Sequence, residues 1–249
     1  MKSRIILFAA AALLAVSCSK PVDQVLVLTE RGGLHGPFTD RGLEWLADLG
    51  AKNNFTITEI NNTEPITKEY LKQFKAVVQL DYPTFKWVPE AQEAYIEYLT
   101  EGKGGWVGFH HASLLGEFDG YPTWTWMSEF LGGILYQNYI EELIDGTVVV
   151  EDFDHPVMKG VNPTFFVPDD EFYIYDKSPR PNVRVLAHVD EDSYTHETNI
   201  KMGDHPVVWT NEHYGARNVY IQFGHSPKLY DNPDFTTMFT NAVLWAMGR

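Results

Sequence analysis

Histidines follow three separate apolar runs of the strand type, and imidazoles are the side chains best suited to chemistry in this chain. The runs and the histidines after them are residues 25–29 with His35, 105–109 with His110 and His111, and 219–223 with His225. In open α/β sheets, ligands bind beyond the carboxyl ends of the strands. We therefore predict a site at this edge, in which His35, His110 and His225 bind a divalent metal, Zn or Mn. His110 and His111 are also candidate acid–base catalysts.

The segment around His110 has the order of strand, tight turn and helix that is typical of a nucleophile elbow. It reads Gly104-Gly105-Trp106-Val107-Gly108-Phe109-His110-His111-Ala112-Ser113, so histidines stand where a Ser or Cys nucleophile would be. Ser113 lacks the Gly-x-Ser-x-Gly frame of a serine hydrolase, and the one cysteine of the chain is at position 18. The structural alternative is that His110 caps the following helix and His111 faces solvent.

A cluster of carboxylates with an adjacent aromatic residue occurs in Asp169-Asp170-Glu171-Phe172-Tyr173. Carboxylate oxygens bind divalent metals together with histidines, and they also accept protons. We predict that Asp170 and Glu171 are catalytic and that Tyr173 binds substrate. Glu30, at the end of the first strand, is a further candidate for substrate binding. An acidic, solvated turn is the structural alternative for the cluster.

Two tryptophans follow the histidine turn, in Tyr121-Pro122-Thr123-Trp124-Thr125-Trp126. Indole rings stack on the C–H faces of sugars with the same apolar area that fills protein cores. Trp124 and Trp126 are therefore candidate sugar-binding residues, with core packing as the alternative. The sequence contains no H-E-x-x-H, Walker A or G-x-G-x-x-G motif, which disfavours zincin proteases, NTPases and dinucleotide-binding proteins.

Apolar periodicity predicts the elements that must position these side chains. It predicts strands at residues 25–29, 55–60, 76–80 and 105–109, and helices at 38–53, 67–74 and 89–100. Strands and helices that alternate at this spacing imply right-handed βαβ units and a parallel sheet covered on both faces. The predicted fold class is α/β, a three-layer, doubly wound and mostly parallel sheet.

The pattern changes from about residue 136, where short strands are separated by turns rich in Pro, Asp and Gly. The predicted strands are 147–150, 164–167, 183–189, 206–210 and 218–223, and a helix over 234–247 closes the chain. No Pro/Ser-rich linker separates the two parts. We therefore predict one domain over residues 25–249, with a β-rich insertion.

The composition excludes several classes of function. The 249 residues include 34 Asp and Glu against 19 Lys and Arg, which gives a formal charge of −15. Affinity for nucleic acids depends on clustered basic residues, so we expect no nucleic-acid partner. The same acidity disfavours adsorption to anionic lipid headgroups. With one cysteine, a disulfide within the chain and a multi-cysteine metal site are both excluded.

The N-terminal residues predict export from the cytoplasm. A basic start, Met1-Lys2-Ser3-Arg4, precedes an apolar run over 5–16 that is too short to span a bilayer. Leu14-Ala15-Val16-Ser17-Cys18 resembles a bacterial lipobox, so we expect residues 1–17 to be a signal peptide and 18–24 a lipoprotein tail that carries lipid on Cys18. Ordinary signal cleavage nearby is the alternative. Loss of Lys2 and Arg4 would change the charge to −17.

The chain resembles the ThuA-like, or trehalose-utilisation, family over nearly all of its mature length. The matching pieces are residues 25–29 with His35, 104–110, His155-Pro156-Val157-Met158-Lys159-Gly160, Asp170-Glu171-Phe172-Tyr173, 206–210, Phe223-Gly224-His225 and Leu244-Trp245-Ala246. One departure is Tyr214-Gly215-Ala216-Arg217-Asn218-Val219, where the family often reads Tyr-Gly-Lys-Gly-Arg-Val.

This resemblance implies a flavodoxin-like sheet related to class I glutamine amidotransferases, with histidine near the place of their nucleophilic cysteine. It also implies a link to the catabolism of disaccharides or oxidised sugars. It further implies that the site residues of the family correspond to His35, His110, Glu171 and His225 in this chain.

Two functions from different classes fit the sequence. The first is an extracytoplasmic enzyme on a disaccharide or keto sugar, in which Glu171 and a histidine move a proton and a divalent metal polarises a carbonyl. The second is a carbohydrate-binding or scaffolding lipoprotein without turnover. A weaker third reading is a degenerate amidotransferase-like domain that serves only as an oligomer partner. The expected partner is a small carbohydrate, and contact with a membrane would be through the lipid anchor alone.

Overall fold

The computed structural model describes residues 22–85, 87–116, 120–139, 143–194 and 200–249. The predicted signal peptide, with Cys18, lies outside these residues. Within the described ranges, no helix has both the length and the apolar character needed to cross a bilayer.

A nine-stranded sheet occupies the centre of the molecule, and a two-stranded ribbon lies apart from it. The strands are β1 (Asp23–Thr29), β2 (Phe55–Ile60), β3 (Ala76–Leu80), β4 (Gly105–Phe109), β5 (Tyr136–Tyr139), β6 (Ile144–Val150), β7 (Thr164–Asp170), β8 (Tyr173–Tyr175), β9 (Arg184–Asp190), β10 (Pro206–Thr210) and β11 (Asn218–Ile221). The large sheet has the order β2-β1-β3-β4-β11-β10-β9-β6-β7, and β5 pairs with β8.

Helices cover both faces of the sheet. They are α1 (Gly36–Asn53), α2 (Lys68–Leu71), α3 (Pro89–Thr100), α4 (Thr125–Phe130) and α5 (Pro233–Ala246), with short 3₁₀ helices at His110–Ser113, Pro156–Met158, Arg180–Asn182 and Pro227–Asp231. The helix predicted to start at residue 38 begins at Gly36, because Pro37 suits the first helical turn.

The first five strands of the sheet order, β2, β1, β3, β4 and β11, are all parallel. Their side chains alternate between two cores: Val25 and Val27 pack with α1 and α5, whereas Leu26 and Leu28 pack with α2 and α3. A strand that is buried on both faces must be apolar throughout, which is why these strands read as continuous hydrophobic runs. The predicted three-layer, mostly parallel α/β fold is confirmed.

The second half of the chain extends the same sheet in antiparallel fashion. Antiparallel pairing links β11 to β10, β10 to β9, β9 to β6 and β6 to β7. The predicted β-rich insertion is therefore mostly a continuation of the central sheet. Only β5 and β8 form a separate ribbon among the described residues, and the sequence analysis did not predict either strand.

The helix α5 holds the parallel strands from one face through aromatic contacts. Phe239 packs on Phe109 of β4 with ring centroids 4.7 Å apart, and it stacks on Trp45 of α1 at 4.5 Å. Phe235, at the same face of α5, is fully buried. Because His110 directly follows β4, this packing fixes the backbone that carries this candidate site residue.

The close approach of β4 to the end of α5 predicts a sensitive position at Gly105. A methyl group there would overlap the backbone carbonyl of Ala246, and overpacking of this kind costs about 1–3 kcal/mol. We expect Gly105→Ala to lower the free energy of unfolding by this amount, as measured by urea denaturation. Gly36→Ala is the matched control, because a side chain at Gly36 would meet open space. Equal stability of both variants would contradict the packing described here.

Candidate active site

Four histidine rings converge beyond the carboxyl ends of β1, β4 and β11. The ring centroid of His35 lies 4.0 Å from that of His111, 4.4 Å from that of His225 and 5.1 Å from that of His110. The rings of His110 and His225 are 6.3 Å apart. His35 is therefore the common neighbour of the other three imidazoles.

Parallel strand pairing brings these residues together from distant parts of the chain. His35 lies between β1 and α1, His110 directly follows β4, and His225 follows β11. His110 adopts φ 38°, a left-handed conformation that is uncommon for a residue other than glycine. Such backbone strain is found most often at functional sites, and here it turns the chain sharply at the end of the strand.

Glu171 lies between two of the histidines. Its Oε2 is 3.5 Å from Nε2 of His110, and its Oε1 is 3.8 Å from Nε2 of His225. The residue directly follows β7, so the antiparallel half of the sheet delivers this carboxylate to the histidine edge. Its side chain is 15% exposed, which leaves it open to a small ligand.

The neighbouring Asp170, which the sequence predicts to be catalytic, is engaged with backbone amides. Its buried carboxylate accepts hydrogen bonds from the N–H groups of Gly224, His225 and Ser226, at 3.0–3.5 Å, and from that of Glu171 at 3.0 Å. Burial raises the pKa of Asp170 to about 7, although these amides oppose the shift. The contacts show Asp170 holding the loop that carries His225.

Hydrogen bonds fix which nitrogen of two histidines carries the proton. His110 Nδ1 is 2.8 Å from the carbonyl oxygen of Gln222, and a carbonyl can only accept. Nδ1 therefore donates, and the lone pair of Nε2 faces Glu171. His111 Nδ1 donates in the same way to Glu30, at 2.5 Å. Histidines that bind metals with one ring nitrogen typically donate the N–H of the other nitrogen to a carbonyl or carboxylate in this way. The His110 side chain therefore bonds to the residue that directly follows β11 and does not cap the following turn.

Burial disfavours the charged forms of three of the histidines, His35, His110 and His225. Burial, followed by the nearby His110, His111 and His225, lowers the pKa of His35 far below its usual range. Burial also lowers the pKa of His110 and of His225, and in the second case Glu171 opposes the shift. For Glu171, burial raises the pKa against the opposing effect of His225 and His111. Neutral imidazoles offer lone pairs for a cation or a proton.

The donor atoms fit a divalent transition metal. They form two groups, His35 with His110 and His111, and His35 with Glu171 and His225, and within each group the ligand atoms lie within 4.8 Å of one another. The Nε2 atoms of His35, His110 and His225 are buried and have no hydrogen-bond partner among the described residues. Nitrogen and carboxylate ligands of this kind suit Zn or Mn. The structure thus divides the predicted ligands His110 and His225 between two groups that share His35.

Two of the predicted substrate-binding residues lie at the histidine cluster, and the other two lie in the aromatic core. Tyr173 stacks on His110 with ring centroids 4.1 Å apart, and Glu30 reaches the site through its bond to His111. Trp124 packs on Trp87 at 5.2 Å, and Trp126 on Phe130 at 5.3 Å, in the aromatic core on the α3 side of the sheet. Contact of these two tryptophans with a sugar stays a prediction.

Sequence reasoning missed two residues near the site. Tyr136 of β5 packs edge-on against Tyr173, at 5.1 Å, and so adds a ring beside the histidine cluster. Asp81 directly follows β3, which lies between β1 and β4 in the sheet. Asp81 stands after an apolar run just as the histidines do, so the same strand-end rule would have found it. The short polar segment of β5 gave no such signal.

Solved structures share this fold. A ThuA-like protein from Bacteroides uniformis matches with a TM-score of 0.78 at 25% identity, over 90% of each chain. A ThuA-like protein from Parabacteroides merdae matches with a TM-score of 0.63 at 17% identity, over 92% of this chain and 90% of that one. A cytoplasmic protein from Salmonella typhimurium matches with a TM-score of 0.60 at 12% identity, over 90% and 99%. The last two likenesses show the fold alone.

Comparison with sequence families shows the family of the chain. No curated protein matches the chain. The family model named ThuA and described as trehalose utilisation matches residues 24–246, a span that includes all four histidines and Glu171. The chain therefore belongs to the ThuA, or trehalose-utilisation, family.

Proposed function

We propose that this protein is an extracytoplasmic enzyme of carbohydrate catabolism that acts on a disaccharide or an oxidised (keto) sugar with the help of a divalent cation. One observation carries the proposal: the rings of His110, His111 and His225 lie 4.0–5.1 Å from that of His35, and the Glu171 carboxylate lies 3.5 Å from His110 and 3.8 Å from His225. The family description, trehalose utilisation, supports a sugar as the substrate.

A cation held by His35 with His110 and His111 would supply a Lewis acid for a carbonyl or hydroxyl oxygen of the sugar, and it would leave Glu171 free for proton transfer. Glu171 is the group suited to move a proton, because burial raises its pKa toward the pH at which proton transfer in both directions is efficient. In the two reactions that we consider, Glu171 takes a proton from the carbon next to a carbonyl or donates one to a glycosidic oxygen.

Residues at the outer side of the cluster are placed to orient the sugar. Glu30 fixes the ring of His111 and is itself half-exposed, so its second oxygen can accept a hydroxyl hydrogen bond. The half-buried Tyr136 packs against Tyr173, which is buried and stacks on His110, so Tyr136 adds apolar ring area beside the cluster. Apolar ring faces and carboxylates together match the alternating C–H and O–H surfaces of a sugar.

The location is a proposal that rests on the N-terminal sequence. The basic start, the short apolar run and Leu14-Ala15-Val16-Ser17-Cys18 support an exported protein with a lipid on Cys18. A lipid anchor would hold the acidic domain at a membrane surface without a transmembrane helix.

The first prediction concerns the cation. Protein purified without a histidine tag is expected to contain Zn or Mn by elemental analysis, and either ion, added to EDTA-treated protein, should raise Tm. Binding to the folded state alone stabilises by about 2.7 kcal/mol at a free ion concentration of 100 Kd. His35→Ala should abolish the shift because His35 belongs to both ligand groups. His213→Ala, at an exposed histidine, is the control and should keep the shift. The proposed cation site is wrong if the wild-type protein contains neither ion and its Tm does not change when either ion is added.

The second prediction concerns proton transfer. Glu171→Gln should lower kcat on a disaccharide or keto-disaccharide substrate by about 10²–10⁴-fold, the usual contribution of a general acid or base. Glu212→Gln removes an exposed carboxylate and serves as the matched control. The rate would be followed by product release at saturating sugar, with circular dichroism to confirm the fold.

A further variant, His110→Ala, separates the enzyme from a carbohydrate-binding protein. A binding protein would show saturable sugar binding by calorimetry, no turnover in the wild type, and binding that survives His110→Ala. That set of results would replace the enzyme proposal.

The third prediction concerns the anchor. We expect the full chain, expressed with its N-terminus in a bacterium, to fractionate with membranes and to incorporate a labelled fatty acid. Cys18→Ser should remove the label and release the protein into the soluble extracytoplasmic fraction. Label that persists in the variant, or a wild-type protein that stays in the cytoplasm, would contradict the proposed location.

A further inference from the structure

Asp81 is a buried carboxyl group that the mechanism above does not use. The residue directly follows β3 and is fully buried, and neither of its carboxyl oxygens has a hydrogen-bond partner among the described residues. Its backbone adopts φ 56°, in the left-handed region that non-glycine residues rarely enter. Burial of an unpaired polar group and a strained backbone each cost free energy, and together they are typical of functional positions.

The position of Asp81 connects it to the histidine cluster. β3 lies between β1 and β4, so its carboxyl end lies at the same edge as His35 and His110. Gly224 lies against both Asp81 and His110. A side chain on Gly224 would begin 3.0 Å from Oδ1 of Asp81 and 3.0 Å from Cβ of His110, and Gly224 is joined to His225. The carboxyl group therefore borders the segments that carry two of the imidazoles.

The charged groups that act on Asp81 have the same sign as its ionised form. Burial raises the pKa of Asp81 well above its usual range, and the carboxylates of Asp170 and Glu30 add to the shift. The hydroxyl group of Tyr230, which is also buried, has no hydrogen-bond partner among the described residues. Buried carboxylates in proteins are normally paired with a cation or coordinate a metal.

We propose that Asp81 is a further carboxylate of the cation site, in contact with the bound divalent ion directly or through one water molecule. The inference deepens the proposed function and rests on it, because it assigns a second acidic group to the same cation. Together, Glu171 and Asp81 would balance the two positive charges of the ion among neutral imidazoles. A carboxylate in this role stabilises the folded protein when the cation is bound. It lowers the free energy of unfolding when the cation is absent.

Asp81→Asn tests the proposal, because asparagine has nearly the same shape and tolerates the left-handed backbone. Zn²⁺ and Mn²⁺ would be titrated into EDTA-treated protein by calorimetry, and urea unfolding of the same cation-free samples would be measured at pH 7. We expect Kd for the ion to rise about 10–100-fold, the range for supporting groups of metal sites. The cation-free variant should be at least as stable as the wild type. Asp48→Asn, at an exposed position on α1, is the control and should change neither quantity.

A second variant, Asp81→Gly, keeps the left-handed backbone and removes the carboxyl group entirely, so it serves if the asparagine variant does not fold. Weaker ion binding with undiminished cation-free stability in either folded variant supports the proposal. Wild-type affinity in a folded variant overturns it and leaves the proposed function intact. Lower cation-free stability in both variants also overturns it, since Asp81 would then be a structural residue. A wild-type protein that binds neither ion refutes the proposed function, and the role of Asp81 with it.

Discussion

The parallel hydrogen bonding of β1, β3, β4 and β11 determines where the polar groups of the site lie. Parallel strands run in one direction, so their carboxyl ends meet at one edge of the sheet, however far apart they are in sequence. His35, Asp81, His110 and His225 all follow such ends. Phe239 of α5 packs on Phe109, the last residue of β4, and this contact restricts the backbone at His110. The site therefore depends on the register of the sheet more than on any single loop.

A second interaction joins the antiparallel half of the molecule to this edge. The buried carboxylate of Asp170, at the end of β7, accepts the N–H groups of Glu171 and of Gly224, His225 and Ser226. β7 is the outermost strand of the antiparallel half, whereas the loop at 224–226 follows a parallel strand. Because Glu171 and His225 are both tied to one carboxylate, their mutual distance is set by hydrogen bonds within the protein. A carboxylate that is buried but saturated by amides serves geometry, while the less constrained Glu171 beside it remains available for chemistry.

The sequence could predict the position of the histidines but not their grouping. His35, His110 and His225 each follow an apolar run, and the rule for parallel sheets was sufficient to place them at one edge. The strand order and the side-chain rotamers determine which imidazoles approach each other. The apolar periodicity of the sequence gives no information on either. For the same reason the bond between His111 and Glu30 could not be foreseen. The ribbon of β5 and β8 was missed because segments of three and four residues are too short to show alternation. Asp81 was missed because an aspartate before Tyr82-Pro83 also fits an ordinary turn.

The charge of the site limits the ligands that it can accept. Burial lowers the pKa of His35, His110 and His225, and the carboxyl groups around these rings belong to Glu30, Asp81, Asp170 and Glu171. The cationic side chain nearest in sequence to His35, Arg31, is paired with Asp40 and Glu59. Without a bound cation, a phosphorylated or acidic sugar would meet carboxylates of its own sign at this site. A cation and an uncharged sugar both suit this environment, the first because it balances the carboxylates, and the second because hydroxyl groups can donate hydrogen bonds to them. The acidic groups of the cluster thus support the proposed cation, with a neutral carbohydrate as the proposed ligand beside it.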